Sequence, residues 1–330
     1  MVDRRTFIKG TIAVPVVGVA ALGASHAAIV SAQDQPVRIG SKNFTEQFIL
    51  GQMYRFLLEE AGIPVELSLN LGGTGIAHAA LTSGEIDLYP EYPGTALVEV
   101  LDRQFAELTD TATPVAATPV TAGTPGAGQA VDQLVYDTVK EFYEEQFNVT
   151  LLNQTPFNNT QAVAVKRSFA EEQGLETISD LAAIAGDLTI SAPSDFVERE
   201  DGLQGLIRTY GGEFDEMEVL SVDPSLKYRA IESGDADVVL AFGTDAQISA
   251  LDLVVLEDDK GLFPPYHVAP FVRQETIDAY PALPDALNAL APLLTDEVMR
   301  ELNAQVDIEG EEPEDVARQF LEEQELISGS

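Results

Sequence analysis

Lys42, Tyr89, Tyr92, Thr95, Asn159, Arg199, Phe242 and Tyr266 are the side chains best placed to do chemistry in this 330-residue chain. The chemistry they offer is recognition. They comprise four aromatic rings, two cations, a hydroxyl and a carboxamide. Each falls at a predicted strand end or helix start, where open α/β sheets receive ligands. Catalytic machinery is thin by comparison. The only histidines are His26, His78 and His267. His26 falls in a targeting segment, His78 in an apolar helix where packing accounts for it, and His267 beside Tyr266 with no acidic neighbour in sequence. No nucleophile motif accompanies them. With no cysteine there is no thiolate nucleophile, disulfide or thiolate metal site. Glu257-Asp258-Asp259 reads as a solvated turn, because a cation site needs more oxygens at defined spacing. No catalytic residue, metal or cofactor is expected.

The elements that position these side chains are announced by a phrase used twice. Ala80-Leu81-Thr82-Ser83-Gly84-Glu85-Ile86-Asp87-Leu88 returns 150 residues later as Ala230-Ile231-Glu232-Ser233-Gly234-Asp235-Ala236-Asp237-Val238. Each copy reads as a helix end, a glycine stop, an acidic turn and a short apolar strand. Tyr92 and Phe242 stand at the same distance past the two glycines. Three residues further on, Thr95 and Asp245 are suited to cap a following helix. The repeat predicts two α/β lobes, each presenting an aromatic at the carboxyl end of a strand.

Length suffices for two domains and ample core, and 45% hydrophobic with 22% charged residues is ordinary for a globular protein. The net charge of −37 is not ordinary. It excludes nucleic acid as a partner, since phosphates need a basic footprint. It also sets a field that attracts cations and repels anions. At the amino terminus, Asp3-Arg4-Arg5-Thr6-Phe7-Ile8-Lys9 has the twin-arginine pattern, followed by an apolar stretch at 11–22 and small residues up to Ala32. Residues 1–32 are therefore expected to be a twin-arginine signal peptide that sends the chain out of the cytoplasm, to the periplasm or cell surface. There is no cysteine to carry a lipid anchor.

Along the mature chain, Val37-Arg38-Ile39-Gly40 is a predicted strand. Thr45 is a candidate N-cap for a helix with Ile49, Leu50, Met53, Phe56 and Leu57 on one face. Gly62 stops that helix, 65–69 alternates like a strand, and Gly72-Gly73-Thr74-Gly75 opens the first repeat helix as a tight turn. Residues 109–131 are almost all Thr, Ala, Pro, Gly and Val, and read as a disordered surface insertion. A helix resumes with Leu134, Val135, Val139, Phe142 and Tyr143. A second unit follows Asn153, with strands at 162–166 and 188–192, helices near 169–173 and 179–185, and a strand at 253–256. Residues 262–272 return to the first lobe, and the tail from Ile277 is helical.

Collinear blocks of the mature chain resemble the extracytoplasmic binding proteins of ABC importers for quaternary ammonium osmoprotectants such as glycine betaine, choline and carnitine. The blocks begin with Ile39-Gly40-Ser41-Lys42-Asn43-Phe44-Thr45-Glu46-Gln47, Leu71-Gly72-Gly73-Thr74, and Gly84 through Tyr92 with Gly94-Thr95. Phe157-Asn158-Asn159-Thr160, Ile178-Ser179-Asp180-Leu181 and Arg199 with Asp201-Gly202-Leu203 follow. Thr244-Asp245 and Leu256 through Lys260, leading to Phe263-Pro264-Pro265-Tyr266, complete the set.

The resemblance implies a two-lobed, type II periplasmic-binding-protein fold with a hinge and an interlobe ligand cleft. It implies lobe 1 over 36–154 and 262–330, interrupted by the insertion at 109–131, and lobe 2 over 155–261. A trimethylammonium group has charge but no N–H, so aromatic faces must hold it by cation–π attraction. By resemblance, Tyr92 and Tyr266 belong to an aromatic cage, with Lys42 and Thr95 nearby. Asn159 and Arg199 approach from the second lobe, Arg199 also latching the closed form. Lys42, Arg199 or a helix N-terminus such as that near Thr95 suits a ligand carboxylate. Two positions depart from the family. Gln161 stands where a cage tyrosine is usual, and Phe242 replaces a second-lobe tyrosine, keeping a π face but losing the hydroxyl. The implied function is capture of a betaine-, choline- or carnitine-like solute and its delivery by a monomeric protein to an ABC permease. The rival reading is an exported hydrolase or lyase for a quaternary amine on the same fold. A third is a sensor or scavenger that serves no permease.

Overall fold

Gly84 and Gly234 end their helices in the same left-handed conformation, with φ of 77° and 84°. A side chain at either position would be strained. After each glycine the next two amides turn back onto one carbonyl, that of Ala80 in the first copy and of Ala230 in the second. Asp87 then accepts the amide of Arg38 at 2.8 Å, and Asp237 that of Thr189 at 3.1 Å. The repeated phrase is thus a repeated device. It turns the chain and pins the incoming strand beside the strand it must join.

The structure, a computed structural model, describes residues 35–105, 108 and 127–329. The expected signal at 1–32 lies outside the described residues, as does most of the insertion at 109–131. In chain order the strands are β1 (Val37–Gly40), β2 (Val65–Ser68), β3 (Leu88–Glu91), β4 (Val149–Leu151) and β5 (Gln161–Lys166). They continue as β6 (Thr189–Ala192), β7 (Glu218–Ser221), β8 (Val238–Phe242), β9 (Leu253–Val255) and β10 (Ala269–Arg273). Two five-stranded sheets result, ordered β2-β1-β3-β10-β4 and β7-β6-β8-β5-β9. Each has three parallel strands and two others, with an antiparallel strand lying against the third parallel one: β10 on β3, and β5 on β8. The fold is α/β and two-lobed, one sheet to each lobe.

Helices cover both faces of each sheet, as parallel strands require. On the first sheet, helix α1 (Thr45–Glu60) buries Ile49, Leu50, Met53, Phe56 and Leu57 against the carboxyl-terminal helices. Helices α2 (Thr74–Ser83) and α3 (Pro93–Glu99) pack on the opposite face with the helix Ala127–Phe147. Separate cores on the two faces of the second sheet are built around Val163, Ile190 and Leu240 and around Ala164, Val239 and Ile231.

Two backbone crossings join the lobes and run side by side in opposite directions. The amides of Leu152, Thr155 and Asn159 donate to Pro270, Val268 and Tyr266, and Asn158 bridges His267. The first turn of α3 presses on the return crossing. A Cβ on Gly94 would stand 2.2 Å from the Pro265 carbonyl oxygen, so only glycine admits this approach.

Some local expectations need correction. Thr45 does not cap α1. Extended Phe44 holds that position, and the Thr45 hydroxyl donates to Asp307 at 2.6 Å. Thr95 lies inside α3, which opens on Pro93 after Tyr92. Asp245 caps no helix either; its carboxylate accepts the Phe242 amide at 2.8 Å. Residues 127–131, read as the end of the insertion, belong to the helix Ala127–Phe147, whose alanine and glutamine there are good helix formers.

Candidate functional site

The carboxyl ends of the parallel strands in both lobes converge on a cavity of about 500 Å³. Lys42 and Phe44 follow β1, Thr74 follows β2, and Tyr92 and Thr95 follow β3. From the second sheet come Asp195, Phe196 and Arg199 after β6, Asp223 after β7, and Phe242 at the end of β8. Asn159 and Tyr266 join from the crossings, and Gln161 from the start of β5. All eight side chains singled out for ligand binding (Lys42, Tyr92, Thr95, Asn159, Gln161, Arg199, Phe242 and Tyr266) therefore line one cavity. His78 and His267 do not. His78 packs against Tyr143 and Phe147, and His267 meets Asp132 at 3.4 Å, an acidic neighbour distant in sequence.

Three aromatic rings form a near-parallel array. Phe44 lies between Tyr92, at 6.3 Å between centroids, and Phe242, at 6.2 Å, with interplanar angles of 23° and 24°. Phe44 joins the lobes through this stack, since Tyr92 is on the first and Phe242 on the second. The outer rings carry the protein's own cations. The ammonium of Lys42 stands 4.6 Å from the Tyr92 centroid, and that of Lys227 stands 3.8 Å from the Phe242 centroid.

Those cations are paired. Lys42 Nζ donates to Glu91 Oε1 at 2.5 Å and to Thr74 Oγ1 at 3.3 Å. Glu91 is fully buried and also accepts the Tyr89 hydroxyl at 2.9 Å and the Tyr92 amide at 2.7 Å. Lys227 meets Asp245 at 2.8 Å, and burial holds its ammonium below the usual lysine range. Arg199 grips Asp201 through two bonds of 2.8 and 2.6 Å and reaches across the cleft to Glu99 of α3. The two cations expected to meet a ligand carboxylate are thus engaged by the protein's own carboxylates.

Asp201 organises one end of the cavity. Beside Arg199 it accepts the Tyr266 hydroxyl at 2.5 Å and the Gln161 amide nitrogen at 2.7 Å. Burial, reinforced by the Asp201 charge, raises the Tyr266 phenol well above its ordinary range. Glu46 organises the other end. It is 2% exposed, and no cation pairs with it among the described residues. Its oxygens accept Tyr92 at 2.6 Å, Asn159 at 2.9 Å, Thr244 at 2.6 Å and Asn303 at 3.3 Å. Burial lifts its carboxyl above the usual range, and the hydroxyl and amide donors only partly offset that rise. This carboxylate ties α1 to the second lobe at Thr244.

Phe44, Glu46 and Asp201 lie inside the family-like blocks, yet the sequence alone assigns them no role. The Arg199–Asp201 spacing was a usable signal for the last; nothing local marked the other two. Among the described residues no cluster of three or more His, Asp or Glu is arranged to hold a metal.

A family model described as the substrate binding domain of ABC-type glycine betaine transport systems matches residues 35–323. An ergothioneine transport permease/ergothioneine binding protein, EgtU of Helicobacter pylori, is 36% identical over 291 residues, 88% of this chain. The match takes in 48% of that relative, so this chain spans about half its length. The glycine betaine-binding protein YehZ of Escherichia coli is 30% identical over 296 residues, 87% of this chain and 90% of the relative. A crystal structure of a glycine betaine/carnitine/choline ABC transporter superposes with a TM-score of 0.66 at 29% identity, covering 88% of this chain and 100% of that one.

Proposed function

This chain belongs to the OpuAC family, the substrate binding domains of ABC-type glycine betaine transport systems, and from that membership we propose that it captures a quaternary ammonium solute between its lobes for an ABC permease. The observation that carries this reading is the aromatic array of Tyr92, Phe44 and Phe242, with Tyr266 near it, on one interlobe cavity. A tetraalkylammonium head has no proton to share, and ring faces attract it by roughly 0.5–2 kcal/mol each, most where water is excluded. Charge supports the same ligand. Lys42 and Lys227 each have one carboxylate partner, Arg199 has three, and Glu46 has no cation among the described residues. The cleft thus carries more carboxylates than cations, and a cationic head completes it.

The named relatives are transport binding proteins, which points away from the hydrolase or lyase reading. The protein acts as a binder without turnover, working outside the cytoplasm as such importer components do. Export follows the twin-arginine route, and the protein works as a monomer. The named relatives make glycine betaine, carnitine, choline and ergothioneine the first solutes to try. Titration calorimetry of the mature protein against these four is expected to detect micromolar or tighter binding of at least one, recovered unchanged by mass spectrometry. Absence of binding to all four would remove the quaternary ammonium reading. Protein-dependent conversion of a bound solute would replace the binder with an enzyme.

A further inference from the structure

The helix Asp296–Asp307 carries two stripes of different chemistry. Met299 and Leu302 are buried, with Val298 and Val306 beside them, in the core that this helix shares with α1. Asp296, Arg300, Asn303 and Asp307 recur at the three- and four-residue spacing that places side chains along one face. The first meets a crossing and the other three meet the second lobe, in chain order. Asp296 Oδ1 accepts the Asn158 amide at 2.8 Å. One turn on, Arg300 Nε donates to the Gly243 carbonyl at 3.1 Å. Asn303 Nδ2 donates to the Thr244 carbonyl at 3.1 Å, and in the last turn Asp307 Oδ2 accepts the Gln247 carboxamide at 3.2 Å. The apolar stripe holds the helix to its own lobe for good. Hydrogen bonds of the polar stripe can be exchanged for water at small net cost, which suits a contact that is made and broken.

At 1.5 Å per residue the ends of the polar stripe stand about 16 Å apart. Rotation of one lobe about the crossings moves each contact in proportion to its distance from them. Asp296 sits on a crossing and stays engaged, while Asn303 and Asp307 part from their partners. Resting on the reading that a solute is captured between the lobes, we infer that this stripe is a closing seam, zipped from the crossing outward, and that Asn303 is the positioning residue that couples it to the solute. The coupling passes through Glu46. Asn303 Nδ2 lies 3.3 Å from Glu46 Oε2, which also accepts the Thr244 hydroxyl at 2.6 Å. Glu46 Oε1 accepts Tyr92 and Asn159, both of which line the cavity. Closing the seam completes the donors around Glu46 and thereby fixes the Tyr92 ring against the solute. Arg199 and Glu99 close the cleft at its other end, so the two contacts can be broken separately.

Four variants of the mature protein test the seam: Asp296→Ala, Arg300→Ala, Asn303→Leu and Asp307→Ala. Stopped-flow dissociation is measured with glycine betaine, choline, carnitine and ergothioneine in turn, and small-angle scattering without solute. Asp296→Ala is expected to change the dissociation rate less than about twofold. Asn303→Leu and Asp307→Ala should raise it about five- to tenfold, with Arg300→Ala between, as one lost hydrogen bond allows. The same three should show a more open solute-free protein, and Asp307→Ala combined with Glu99→Gln should multiply the separate effects. Equal effects along the helix would overturn the inference. So would a lowered melting temperature with unchanged dissociation and scattering, the signature of a merely structural helix. Arg300 and Asp307 are exposed, so their variants carry the test even if Asn303→Leu does not fold. If no solute binds the wild type, the capture reading falls by itself. Scattering then decides the seam, and identical profiles for wild type and Asp307→Ala would overturn it.

Discussion

Glu99 on the first lobe and Arg199 on the second form an ion pair across the cleft. Arg199 is held from behind by Asp201, which also anchors Tyr266 and Gln161. The residue that joins the lobes is thereby wired to the residues that line the cavity, and closure and ligand contact share one carboxylate.

Glu99→Gln is expected to loosen the closed form while leaving the Arg199–Asp201 pair in place. A partly exposed ion pair contributes up to about 1 kcal/mol, close to five-fold in Kd. Stopped-flow measurements should find the loss in the dissociation rate, and small-angle scattering should show a more open ligand-free protein. An unchanged dissociation rate would mean that the pair does not latch closure.

Phe44→Leu should weaken binding of any quaternary ammonium solute by about 1 kcal/mol, since leucine keeps an apolar wall but no π face. Tyr92→Ala and Tyr266→Ala should each cost more, because truncation also admits water. The control is a primary-amine analogue of the same solute. If Phe44→Leu weakens the amine as strongly, Phe44 acts by packing alone.

Gln161→Tyr should move the protein toward glycine betaine. One added ring at a desolvated site is worth about 1–2 kcal/mol, or roughly five- to thirty-fold in affinity. A primary-amine analogue should gain less, so a gain shared equally by both ligand types would show that the added ring acts by packing alone. Parallel calorimetry on the two solutes reads the outcome directly.

Glu46 makes stability depend on acidity. Its carboxyl sits above the usual carboxylate range because burial penalises the charged form. A group raised by folding gives stability that is complete below its unfolded pKa and lost as pH rises through its folded pKa. The melting temperature of the wild type, relative to Glu46→Gln, should therefore be higher at pH 4 than at pH 7. The sign of that difference is the expected outcome, read from thermal unfolding of both proteins at the two pH values. A relative Tm that rises toward neutrality would show that the donors around Glu46 outweigh its burial.

Where chemistry is local, the sequence could be read. Gly84 and Gly234 announce left-handed turns because other residues resist that conformation. The apolar stripe of α1 announces its buried face. Edge strands β4 and β7 escaped notice, being short, with neighbours on one side only. Phe44, Glu46 and Asp201 escaped for a different reason. A phenylalanine before a helix and an acid in its first turn are ordinary until a second lobe is set against them. Phe242, Thr244 and Asn303, which give the first two their roles, lie roughly 200 to 260 residues away. Lys42 and Arg199 look available to a ligand because Glu91 and Glu99, which hold them from 49 and 100 residues away, cannot be paired with them from spacing alone.

The paired crossings between the lobes have a mechanical consequence. Because Leu152, Thr155 and Asn159 are stitched to Pro270, Val268 and Tyr266 by backbone bonds, neither connection can stretch or slide without the other. They flex as a leaf spring does, easily out of the ribbon's plane and stiffly along its length. Thermal motion is then channelled into one opening and shutting mode, and the cavity walls that meet on closing are the same ones each time.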